Sequence, residues 1–220
     1  MLDSIGELLP TADLSMEVDI TQIKSYVLSL KDAISRRNKM AALMNSIGVV
    51  DWSFFDSIDV RGRLPYWVGC GMSHRELIAQ AKFPCIVYED DIEKTQWYRS
   101  SINIPEESIV YLGLSKWGTR SGQSEVNGVL FFESDYPEVL GVQYMLSAHA
   151  IYYPTRESAV EWTNGITRHM LEKGKPMDEW FATIQTRQEV YCLRQPLFYQ
   201  DCEKNKVWTD FEVNENDIIS

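Results

Sequence analysis

The sequence predicts an α/β fold: a Rossmann-like, mixed but mostly parallel central sheet flanked by helices. Three observations predict it. Apolar runs of strand length alternate with helix-spaced segments from residue 23 onward, the pattern that builds β-α-β units. One run, Cys85-Ile86-Val87-Tyr88, ends abruptly in Glu89-Asp90-Asp91, so it reads as a buried strand with charge at its mouth. Hydrophobic residues make up 45% of the 220 residues, which supplies a sizeable core and excludes global disorder.

The elements follow in order. Residues 1–22 are acidic, carry Pro10 and lack periodicity, and are expected to form an N-terminal arm. Residues 23–30 form a first strand, and residues 32–47 a helix stopped by Gly48. Residues 52–58 form a second strand. Ser73, with Glu76 at capping-box spacing, starts a helix that runs to about residue 82. Residues 85–88 and 108–114 are strands. Residues 116–127, rich in Gly and Ser, read as a mobile loop. Strands at 129–132 and 139–153 are separated by a turn at Asp135-Tyr136-Pro137. Helices at 156–171 and 177–187 are divided by Gly174 and Pro176, and residues 189–193 form a last strand. A single domain is expected over 23–203, with 204–220 as an acidic, peripheral tail.

A net charge of -11 argues against a general nucleic-acid binder but not against a phosphate-bearing substrate held through a cation. Cys70, Cys85, Cys192 and Cys202 lack CxxC spacing, so neither zinc ribbons nor a disulfide framework is indicated. No signal peptide and no membrane span is legible, and a cytoplasmic location is expected.

Chemistry concentrates in five places. Alternation along an extended chain points Glu89 and Asp91 to one side and Asp90 to the other, and two same-side carboxylates suit Mg2+ or Mn2+. Gly69-Cys70-Gly71-Met72-Ser73-His74 reads as a glycine turn before a helix start, where free amides favour an anion; an ordinary capped turn is the plainer alternative. Arg36 and Arg37 lie just past a strand end, within reach of a phosphate. His149 sits in apolar surroundings, and Asp178 follows Pro176 at a helix start, either complementing the helix dipole or acting as a general base. Trp67, Trp117, Trp162 and Trp180 could stack on sugars, with core packing the plainer reading.

The order of these motifs resembles glycosyltransferase family 25, the lipooligosaccharide and collagen galactosyltransferase group. Val27-Leu28-Ser29-Leu30 with Arg36-Arg37 resembles the family's opening Ile-Asn-Leu … Arg pattern. Phe55-Asp56-Ser57-Ile58-Asp59 resembles Phe-Asp-Ala-Val-Asp, and residues 69–74 resemble Gly-Cys-x-x-Ser-His. Val87-Tyr88-Glu89-Asp90-Asp91 resembles the Leu-Glu-Asp-Asp version of the DxD metal motif. Tyr111-Leu112-Gly113, Ser147-Ala148-His149-Ala150 and Pro176-Met177-Asp178 resemble later segments, so the likeness covers roughly residues 23–200. Ser29 stands where the family has Asn, and Val60 where it has Gly.

The resemblance implies a GT-A fold, with a nucleotide half at about 23–115 and an acceptor half at about 128–203. It implies an inverting transfer of galactose or glucose from a UDP-sugar to a glycan or glycoconjugate, as in lipopolysaccharide biosynthesis. Asp91, Glu89 and His149 are the expected ligands of Mn2+ or Mg2+. Ser29, Arg36, Arg37, Ser73, His74, Glu89 and Asp90 are the expected nucleotide or diphosphate contacts, and Asp178 is the expected base. A lipid-linked acceptor would bring peripheral membrane association. Two other readings stay open: a degenerate nucleotide-sugar- or glycan-binding protein, and a metal-dependent phosphohydrolase.

Overall fold

The computed structural model describes residues 15–200 and 213–220. Expectations for residues 1–14 and 201–212, Cys202 included, lie outside the described residues. The chain is a mixed α/β structure built on a nine-stranded sheet. Its first strands are β1 (Ser15–Asp19), β2 (Lys24–Ser29) and β3 (Trp52–Asp56), with helix α1 (Ile34–Ser46) between β2 and β3. Helix α2 (Tyr66–Gln80) leads into β4 (Cys85–Glu89), followed by β5 (Ile92–Lys94), β6 (Ser101–Pro105) and β7 (Ile109–Tyr111). Then come β8 (Trp117–Gly118), β9 (Glu125–Val126), β10 (Leu130–Phe132), β11 (Val139–Gln143) and β12 (Ala150–Tyr153). Helices α3 (Arg156–Asn164), α4 (Ile166–Lys173) and α5 (Met177–Ile184) precede β13 (Val190–Leu193), β14 (Phe198–Gln200) and β15 (Ile218–Ile219).

The sheet order is β15-β10-β11-β13-β7-β12-β4-β2-β3. It is mixed rather than mostly parallel: four of its pairings are parallel and four antiparallel. The parallel run β4-β2-β3 is where the sequence alternates strand and helix. The antiparallel pairings surround β11 and β12, which run against the other strands; of these pairs only β10–β11 is joined by a short connection.

Strand β4 explains the architecture. Cys85, Ile86, Val87 and Tyr88 are all buried, because both faces of the sheet are covered. Cys85 and Val87 pack with Leu77, Trp162, Met170 and Phe181 from α2 to α5. Ile86 and Tyr88 pack on the other face with Met40 and Met44 of α1 and with Val18, Ile102 and Ile104 of the β1–β6 ribbon. Residues 15–19 are therefore a paired strand and not an arm, because Val18 and its neighbour Ile20 are buried. Residues 213–220 lie at the sheet edge but are tied to it. β15 adds a parallel strand to β10, and Val213 is buried. Residues 116–127 hold the small antiparallel pair β8–β9.

The glycine element requires the largest correction. Helix α2 begins at Tyr66 after Pro65, so Gly69, Cys70, Gly71, Ser73 and His74 lie inside it and not before it. Their amides are spent in the helix and offer no anion cradle. The glycines serve packing: a Cβ on Gly69 would meet the Ile58 carbonyl oxygen at 2.7 Å, and one on Gly71 would meet Met170 Sδ at 2.7 Å. The long helix expected at 156–171 is divided at Gly165, where a Cβ would strike the Trp180 ring at 2.1 Å. Among the described residues no helix is long and apolar enough to cross a membrane.

Candidate functional site

Parallel pairing sets the ends of β2, β3 and β4 side by side, with Ser29 opposite Asp56 and Leu28 opposite Glu89. The carboxyl ends of such strands are where open α/β sheets bind ligands. Asp90 and Asp91 form the tight turn between β4 and β5, so the chain is not extended there. Asp90 turns toward β2 and α1, accepting from Ser29 Oγ at 2.6 Å and from Arg36 at 2.8 Å. Ser29 is thus committed to holding Asp90. Arg37 donates to the carbonyls of Ser29 (3.0 Å) and Leu30 (3.1 Å), pairs with Asp56, and lies 4.6 Å over the Phe54 ring. Its guanidinium clamps two strand ends together. Arg36 has 59% of its side chain exposed at the rim.

Glu89 points the other way, to α2. One of its oxygens receives the Cys70 thiol at 3.3 Å and faces His74 Nε2 at 3.3 Å. Its backbone N–H donates to the His149 carbonyl at 2.9 Å. Burial opposes ionisation of Glu89, but hydrogen bonds and charge from His74, with further help from His149 and Cys70, hold its carboxyl below the usual value. Burial first, then the Glu89 charge, push the Cys70 thiol well up.

Asp91 has the opposite balance. One oxygen accepts from Gln200 Nε2 at 3.1 Å, while the other is buried with no hydrogen-bond partner among the described residues. Burial and the nearby Glu89 push its pKa up to about 7. Asp178, in the first turn of α5, accepts the Glu179 amide at 3.0 Å, and burial together with Glu89 pushes it up to about 6. Neither Asp91 nor Asp178 forms an ion pair among the described residues. His149 is buried; its Nδ1 meets Ser147 Oγ at 2.9 Å, and its Nε2 has no partner. The ring lies over Gly113, where a Cβ would meet Nε2 at 2.0 Å, and burial pushes its pKa down to about 4.

The fold thus gathers Glu89, Asp91, Asp178, His74 and His149 around the mouth of β4, and it sends Asp90, Ser29, Arg36 and Arg37 to an adjoining polar tie. Two expected nucleotide contacts are corrected. Ser73 is buried, donating to the Gly69 carbonyl at 2.6 Å and accepting from the Ile58 amide at 2.8 Å. His74 is fully buried beneath Glu89. Both hold protein groups from inside α2. The expected metal group Asp91, Glu89 and His149 does not bring three donor atoms within 4.8 Å of one another; among the described residues Cys70, His74 and Glu89 do.

Gln200 carries no signal in the sequence alone, and Cys70, though part of a motif, carries none as a partner of Glu89. Cys70 and His74 share a helix face only once α2 starts at Tyr66, and Gln200 reaches Asp91 only through the β5–β14 pairing. Trp162 is fully buried, so it is no sugar platform; its carbonyl accepts the Trp180 indole N–H. A cavity of about 590 Å³ lies elsewhere, between β10, β11 and the α5–β13 connection, and none of the clustered carboxylates lines it. Comparison with protein-family models and with curated proteins finds no match for this chain.

Proposed function

We propose that this chain is a metal-dependent glycosyltransferase of the GT-A kind, similar to family 25. It would move galactose or glucose from a UDP-sugar to a hydroxyl of a glycan or glycoconjugate, with inversion. The observation that supports this reading is the cluster of buried carboxyls at the β4 mouth. Among the described residues two carboxyls there, Asp91 and Asp178, form no ion pair, and one buried oxygen of Asp91 has no partner. Such a group is costly alone and suits a hard cation.

Asp91 fits that cation. It would hold Mn2+ or Mg2+ through its buried oxygen, with Glu89 beside it; His149 is left out, because its donor atom does not converge with both carboxylates. The bound ion would offset charge on the departing diphosphate. The protein's own groups do the rest. Asp90, fixed by Ser29 and Arg36, holds the turn that presents Asp91. Arg36, at the rim, is placed to meet a phosphate approaching from solvent. Asp178, with a pKa raised to about 6, remains mostly ionised near neutrality yet is more basic than an ordinary aspartate, which suits a base for the acceptor hydroxyl.

The test is a thermal-shift screen of UDP-sugars with and without Mn2+, followed by transfer assays. A shift that needs both metal and UDP-sugar is expected, and Asp91→Ala should abolish it. Asp178→Asn should lose at least ~100-fold in turnover while donor affinity stays within about twofold, as for removal of a general base. Release of inorganic phosphate from nucleotides without any sugar requirement would overturn the transferase reading.

A further inference from the structure

Cys70 and His74 are four residues apart on α2 and present side chains to one helix face, opposite Glu89 of β4. Cys70 Sγ lies 3.3 Å from Glu89 Oε1, and His74 Nε2 lies 3.3 Å from the same oxygen. All three donor atoms fall within 4.8 Å of one another. In a tetrahedral zinc site, bond lengths of about 2.0 Å to N and O and 2.3 Å to S put N and O about 3.3 Å apart and S and O about 3.5 Å apart. The two short separations already match those values.

The surroundings favour an ion here over a hydrogen-bonded trio alone. Thiolate, imidazole and carboxylate form a borderline-soft set, which selects Zn2+ over the hard ions suited to Asp91. The α2 helix is held firmly: Gly69 lies against Ile58 and Val60, Gly71 against Met170, and Ser73 bonds the Ile58 amide. The ligands are therefore preplaced. Glu89 retains 20% exposure of its side chain and Cys70 is only half-buried, so an ion can enter from the mouth and keep a water or substrate oxygen as fourth ligand.

We propose that Cys70, His74 and Glu89 form a site for a borderline transition-metal ion such as Zn2+, separate from any hard-cation site on Asp91. On binding, the Cys70 thiol proton leaves to solvent and the sulfur bonds the metal, so its hydrogen bond to Glu89 is replaced by shared coordination. Because Glu89 belongs to both sets, Zn2+ would compete with Mn2+ for it; that consequence alone rests on the transferase reading.

Cobalt substitution of the full chain tests the site without any sugar nucleotide. One equivalent of Co2+ should give a thiolate-to-metal charge-transfer band and a tetrahedral visible spectrum. The band should vanish in Cys70→Ser and persist in Asp91→Asn. No band in the wild type, an undiminished band in Cys70→Ser, or its loss in Asp91→Asn would overturn the proposal. Glu89→Gln provides a check that spares the thiol: Zn2+ affinity, read by competition with a chelating dye, should fall at least tenfold. Unchanged affinity would remove Glu89 from the site. Failure of the UDP-sugar screen leaves these outcomes unaffected.

Discussion

Asp91 has one oxygen held by Gln200 and one with no partner among the described residues, and it stands beside the ionised Glu89. That arrangement has a pH signature. The folded pKa, about 7, lies above the ordinary aspartate value of 3.8, so the folded protein binds a proton there that the unfolded chain has lost. Stability from this group therefore falls as pH rises from about 4 to about 7. Asn cannot ionise, so metal-free Asp91→Asn should gain stability over the wild type on going from pH 5 to pH 8, by roughly 1–2 kcal/mol after solvent screening. Denaturant melts at the two pH values measure it; equal gaps at both would mean that Asp91 titrates normally. Mn2+ should close the gap by stabilising the wild type alone. The acids themselves were legible in the sequence, because an apolar run that stops at three carboxylates must leave its charge at a strand mouth. Their unequal roles were legible only in part: alternation separated Asp90 from Glu89, but the partners Ser29, Arg36, Cys70 and Gln200 come from distant elements.

Helix α2 shows how an element can mislead when read locally. Glycine at 69 and 71 lowers helix propensity by about 1 kcal/mol each, so a turn is the natural local reading. Tertiary packing overrides it, because only a bare backbone fits beside Ile58 and Met170. Gly69→Ala should therefore destabilise by about 1–3 kcal/mol despite better propensity, since the obstructing atom is a backbone oxygen. Gly71→Ala should cost less, because the Met170 thioether can swing aside. Thermal melts of the two variants check the order, and a reversed ranking would contradict the packing account. The same packing explains why residue 165 is glycine, since a Cβ there would strike the Trp180 ring. By contrast, β2, α1, β3, β4 and α5 were legible, since their apolar spacing and their stops, such as Gly48 at φ 76°, are local properties.

At the scale of the whole molecule, sheet direction was the least legible feature. Apolar runs do not record which way a strand points, and β11 and β12 look like any other buried strand. Two short segments were also underestimated because their partners are distant in sequence: β1 pairs with β6, and β15 with β10. Removal of residues 213–220 should cost about 1–2 kcal/mol, from Val213 and Ile218 losing apolar burial. The metal-dependent thermal shift should survive that truncation, because β15 lies at the sheet edge remote from β4. Loss of the shift would tie the C-terminal edge to the acid cluster.

The Gln200–Asp91 bond has a practical consequence for handling the protein. Gln200, in strand β14, is the residue that steadies the acid turn. A protease cut or a reporter inserted just after residue 200 would strain the β5–β14 pair and disturb Asp91 without touching it. Labels intended to be silent belong instead on the solvent side of α3 or α4, at Val160 or Leu171, both exposed and remote from the turn.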